Sequence, residues 1–168
     1  MQMTILFLGM AILMASAYGD VRMRRIPNVL TYSLAALGAL QLILMGDLNV
    51  AFWTIASGVA VLVVGFLLFW GGLFGGGEAK LLTGAVLLIG SRDLLGFLLL
   101  VIFCGAIAML ALMIEYDFGR WLQRVMRPAS ARLVNDAAGA TAAPTVPYGI
   151  AIAIGAVMIL SFRTLSLR

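Results

Sequence analysis

The sequence predicts an all-α integral membrane protein of about six transmembrane helices, and three observations carry that prediction. Apolar residues make up 64% of the 168 and charged residues 11%, against about 45–50% and about 25% in soluble domains. Mean hydropathy is +1.13. The apolar residues also come in runs near the ~17–25 residues that cross a bilayer as a helix, with the charges gathered between them. The whole of 1–168 reads as one polytopic domain.

The expected spans are about 3–18, 29–46, 51–74, 79–91, 94–116 and 148–163. The first contains Ala15-Ser16-Ala17, which has the form of a signal-peptide cleavage site, but MQMT supplies no positive n-region. It therefore reads as a retained span. Pro27 stops the chain before the second span and fixes where the preceding loop ends. Gly46-Asp47-Leu48-Asn49 and Ser91-Arg92-Asp93 are tight turns between helices. The fourth segment is short for a span and reads as a helix that starts within protein. The only soluble-looking stretch is 117–147. Arg120, Arg124 and Arg127 at i, i+4 and i+7 make its first half a basic amphipathic helix for the membrane surface. Its second half, NDAAGATAAPT, is a linker.

Net charge is +4, and ten of the eleven basic residues are arginines in short loops. That is the pattern of orientation signals and lipid head-group contacts, so membrane lipids are partners and nucleic acid is not. Loop 19–28 holds Arg22, Arg24 and Arg25, and loop 117–147 holds Arg120, Arg124, Arg127 and Arg132. The positive-inside rule makes both cytoplasmic, and the glycine-rich segment between spans three and four shares their side. Arg163 and Arg168 oppose this, two residues against seven. The chain has no histidine, which excludes Cys/His zinc sites and Ser-His-Asp chemistry. No metal or other cofactor is called for. The single Cys104, inside FCGAIAML, reads as a packing residue.

Membrane-edge acids are costly, so each is a functional candidate. Asp47 and Asp93 sit in outward turns as solvated caps, Asp136 lies in the linker, and Glu115 and Asp117 end the fifth span beside arginines as interface anchors. Two acids remain, Asp20 in YGDVRMRRIPNVLT and Glu78 in GGGEAKLL, each at a change from apolar to polar sequence on the same side. Helices one and four can bring them face to face. Two adjacent carboxylates do not ionise together easily, so the pair supplies a base to activate water and an acid to protonate a leaving amine. Gly75, Gly76 and Gly77 permit positive φ and leave bare backbone for an extended peptide. The blander account of these glycines is a flexible loop or a close helix contact.

These residues resemble the type IV prepilin peptidases. GDVRMRRIPN is similar to that family's first motif, an aspartate followed by an arginine and Ile-Pro-Asn. GGGEAKLL is similar to the second, Gly-x-Gly-Asp-x-Lys-Leu, shared in part with presenilin-like aspartic proteases. VPYGIAIAIGA, residues 146 to 156, resembles the Pro-Tyr-Gly stretch that opens the last helix in the small members serving Flp or tight-adherence pili. The resemblance implies cleavage of the basic leader of prepilins and pseudopilins, after a glycine, at the cytoplasmic face of a bacterial inner membrane. It makes Asp20 and Glu78 the catalytic pair and Gly75, Gly76, Gly77, Lys80, Pro27 and Asn28 substrate-positioning residues, with self-association left open. Larger members carry a cytoplasmic domain with paired cysteines and N-methylate the new terminus; this chain has one cysteine, which implies a peptidase without methyltransferase activity.

One departure stands out: the second acid is glutamate, not aspartate. The extra methylene moves the carboxylate by about a bond length, and errors of ~1 Å can cost ~10²-fold in rate. On this reading Glu78→Asp retains or raises activity. Lys80 either biases the nearby carboxylate and holds substrate backbone, or snorkels to the interface. Two other functions fit part of the pattern. A non-catalytic subunit of a pilus or secretion machine would explain the glutamate, and a small proton or cation transporter would use both acids as a relay.

Overall fold

The structure, a computed structural model, describes residues 2–23, 26–71, 74–126 and 148–166, with 115–126 and 166 described by backbone alone. All of the elements there are helical. They are α1 (Gln2–Met23), α2 (Asn28–Met45), α3 (Leu48–Trp70), α4 (Gly76–Ile89), a 3-10 turn (Ser91–Asp93), α5 (Leu94–Met126) and α6 (Tyr148–Ser166). The chain divides into two compact units, 1–105 with 147–168, and 106–146. The second contains the C-terminal part of α5. The linker expected within 128–147, Arg24, Arg25 and the side chains of Glu115, Asp117, Arg120 and Arg124 lie outside the described residues.

Five helices are long and apolar enough to cross a membrane: α1, α2, α3, the 91–114 stretch with most of α5, and α6. The protein is a multi-pass membrane protein. The exception is α4, whose 14 residues span about 21 Å at ~1.5 Å per residue, less than the ~30 Å hydrocarbon core. It is also the helix around which the first unit packs, touching α2, α3 and α6. Leu81, Ala85, Val86 and Leu88 of α4 are fully buried against Leu13, Leu34, Phe97, Ile152 and Leu160. A helix apolar on every side belongs inside a bundle. Protein thus covers most of α4 from Leu81 to Ile89, although Lys80 near its start is exposed.

Small residues allow the close approach. A Cβ at Gly38 of α2 would stand 2.8 Å from the Leu87 carbonyl carbon and 2.9 Å from the Leu88 nitrogen, both main-chain atoms of α4. At Gly84 of α4 it would stand 3.3 Å from the Thr31 carbonyl oxygen. Without a hydrophobic force between helices in lipid, such contact is what holds them. Gly38→Val is accordingly expected to lower stability by about 1–3 kcal/mol, read as an earlier melting transition of the detergent-solubilised protein. An unchanged transition would show that α2 does not rest on α4 at this point.

Turn chemistry follows the sequence closely. Gly46 ends α2 in the left-handed region at φ 67, where glycine is favoured. Asp47 then caps α3, its Oδ1 accepting from Asn49 N at 3.0 Å and Val50 N at 3.2 Å. Helix bounds differ from expectation most at the end of the first span. Hydropathy stops at residue 18, yet α1 continues to Met23. Residues Ile5, Gly9, Leu13, Ser16 and Asp20 fall on one buried face, so the last turn keeps its packing although Arg22 points outward, its Nη1 donating to Tyr18 Oη.

Candidate active site

Asp20 continues the buried face of α1 and is only 6% exposed. It belongs to the last turn of a helix, not to a loop as the hydropathy reading placed it. Glu78 is 8% exposed and occupies the third position of α4. Gly75, extended at φ −77 and ψ 141, donates its N–H to Glu78 Oε2 at 2.8 Å. The Gly75 carbonyl accepts from Glu78 N at 3.0 Å and Ala79 N at 3.2 Å. Glycine has no side chain to cap with, so the glutamate closes this helix start alone.

The two carboxylates meet at the start of α6. Tyr148 N donates to Glu78 Oε1 at 3.0 Å, and the next amide, Gly149 N, donates to Asp20 Oδ2 at 2.9 Å. The first N–H groups of a helix have no partners within it, and the positive end of its dipole favours anions. Here two acids from α1 and α4 take up successive members of that set. This brings Asp20 and Glu78, 58 positions apart in sequence, onto successive amides of one helix start. Gly149 has to be bare for it: a Cβ there would stand 2.9 Å from Asp20 Cγ and overlap Oδ2. Tyr148 is pinned on two sides. Its ring stacks on Phe74 with centroids 5.0 Å apart and planes at 29°, and Gly105 of α5 leaves it space, since a Cβ there would lie 3.2 Å from Tyr148 Cε1.

The glycine-rich stretch is not the loose backbone expected of it. Gly75 is extended, Gly76 and Gly77 lie in the first turn of α4, and the positive-φ glycines among the described residues are Gly46 and Gly90. Close packing accounts for two of the three. A Cβ at Gly75 would be 3.3 Å from Glu78 Oε2, at Gly76 3.5 Å from the Phe69 ring, and at Gly77 3.2 Å from Ile26. Pro27 directly precedes α2 with φ −59 and ψ 131, and its carbonyl accepts from Leu30 N at 3.1 Å. Asn28 opens α2, and its Oδ1 accepts from Lys80 Nζ at 3.2 Å. Lys80 also lies 5.6 Å from the centroid of Tyr32. It thus ties the start of α4 to α2 from an exposed position.

Sequence reasoning did not single out Tyr148 and Gly149 as site residues. Their contribution is a pair of main-chain donors, which no residue type announces; the signal available was the Pro-Tyr-Gly stretch itself.

The comparison with protein families matches residues 7–110 to the type IV leader peptidase family. The chain belongs to this family. The matched region includes both Asp20 and Glu78 and ends before α6. No curated protein and no solved structure shows a match. Membership makes this multi-pass membrane protein a leader peptidase, with prepilins as its class of substrate.

Proposed function

We propose that this leader peptidase is of the aspartic type and that Asp20 and Glu78 are its catalytic pair. The observation that carries the reading is the pair's shared seat on the Tyr148 and Gly149 amides. Two buried carboxylates this close retain one proton between them. In the reaction, the ionised carboxylate takes a proton from water as its oxygen attacks the scissile carbonyl carbon. The protonated one gives its proton to the departing amine as the C–N bond breaks. The leader then leaves as a carboxylate and the mature pilin as an amine, with one water consumed. Main-chain donors already aimed at the acids fix both in place before substrate arrives. Arg22 in α1, with Arg24 and Arg25 following in the sequence, supports a site at the cytoplasmic face of a bacterial inner membrane. With Cys104 as its single cysteine, the chain acts as peptidase alone and leaves the new N-terminus unmethylated.

The test is co-expression with a prepilin, where a shortened product is expected and N-terminal sequencing locates the cut. Persistence of the full-length precursor beside correctly inserted enzyme overturns the proposal. Glu78→Asp sharpens it. Aspartate at this position still caps Gly75, but it lacks the reach to Tyr148 N as well. In place of the retained or raised activity that the sequence alone predicts, cleavage is therefore expected to fall by about tenfold to a hundredfold and to remain measurable. Complete loss would mean that the site is built around glutamate.

A further inference from the structure

The end of the bundle opposite the carboxylates carries a second, chemically different site. Two cavities meet there. One is a groove of about 720 Å³ along α2, α3 and α4, walled by Leu42, Ile43, Ala51, Ile55, Val59 and Leu87. The other, of about 250 Å³, is bounded by Gln41, Asp47, Thr54, Arg92 and Arg163 at the 3-10 turn and the end of α6. Leu42, Asp47 and Leu87 line both, so the apolar groove and the polar pocket adjoin.

The pocket holds an unmet demand. Gln41 is 95% buried, being 5% exposed, and its Oε1 has no hydrogen-bond partner. A buried acceptor left unmade costs about 1–3 kcal/mol, so its position on a cavity wall points to a donor from outside the chain. Around it the charges are of both signs. Arg92 and Arg163 can face an anion, and Arg163 is already steered to this place, its Nη1 donating to the Ile89 carbonyl at 2.7 Å. Asp47 and Gln41 Oε1 can face a cationic donor. An apolar groove leading to such a pocket at the bundle end matches one ligand class, a molecule with a long acyl chain, a phosphate and a primary ammonium.

We propose that this cleft is a structural site for a phospholipid with an amine head group. The acyl chain lies between α2 and α3 on α4, the phosphate sits at Arg92 and Arg163, and the ammonium donates to Gln41 Oε1 beside Asp47. The lipid fills the space that α4, too short to reach both faces of the bilayer, leaves above its C-terminus. Phosphatidylcholine shares the acyl chains and phosphate but has no N–H to give, so the orphaned acceptor discriminates against it.

The test uses the full chain purified in detergent and titrated with dioleoyl phosphatidylethanolamine, dioleoyl phosphatidylcholine or inorganic phosphate, with bound species counted by native mass spectrometry. The ethanolamine lipid is expected to bind about tenfold more tightly than the choline lipid, in line with a hydrogen bond from a charged donor. Gln41→Leu is expected to erase that preference while leaving leader cleavage intact, and Arg92→Gln to weaken both lipids several-fold. Inorganic phosphate at millimolar concentration is expected not to displace lipid. Equal affinity for the two lipids overturns the proposal, as does displacement by phosphate alone. Absence of any lipid beyond the detergent background also overturns it, and leaves Gln41 to a water molecule.

Discussion

Asp20→Asn leaves the leader on a co-expressed prepilin, with cleavage reduced about 10³-fold or more, the scale of general acid–base catalysis. The substitution is close to isosteric. The amide oxygen of asparagine can still accept from Gly149 N, which Asp20 Oδ2 receives at 2.9 Å, so α1 and α6 keep their contact. What disappears is the exchangeable proton and the charge. Loss of cleavage with an unchanged melting transition therefore separates chemistry from packing. Glu78→Gln gives the same loss with more structural damage, because glutamine has one acceptor oxygen for the two amides, Gly75 N and Tyr148 N, that Glu78 now serves. Normal processing by both variants would remove the carboxylates from the mechanism and leave the family's activity to other residues.

Gly149→Ala is expected to cut cleavage by about 10²-fold, because a misplacement of ~1 Å at a catalytic group has that order of effect. The added methyl would sit 2.9 Å from Asp20 Cγ, and neither partner can give way without breaking the bond from Gly149 N. Gly155→Ala serves as the control. It adds a methyl on the same helix, 3.2 Å from Val101 Cγ2, where no carboxylate is near. It should cost some stability and far less activity. Equal loss in the two variants would make Gly149 a packing residue and nothing more.

Both acids were legible in the sequence because each stands where an apolar run stops, and a charge at such a border demands an explanation. Their meeting was legible too, as an inference from antiparallel helices of matching side. The glycine run misled, since GGG reads as freedom wherever its neighbours are unknown. The structure instead sets Gly75 and Gly77 close against Glu78 and Ile26, with the Phe69 ring at ordinary contact distance from Gly76. The end of α1 was invisible to hydropathy for a related reason: averaging over Asp20, Val21 and Arg22 hides the fact that they lie on different faces of one turn. Least accessible were the Tyr148 and Gly149 amides, because every residue but proline carries the same donor and only the fold decides which ones find a carboxylate.

The seating of Asp20 on an amide 129 residues further along has a consequence for biosynthesis. A ribosome that has delivered α1 through α5 has already made both acids, yet the bonds from the Tyr148 and Gly149 amides form only once α6 enters the membrane. The proposed catalytic pair is thus seated by a helix made after both of its members, and a chain interrupted before Tyr148 is expected to hold two acids without their shared seat.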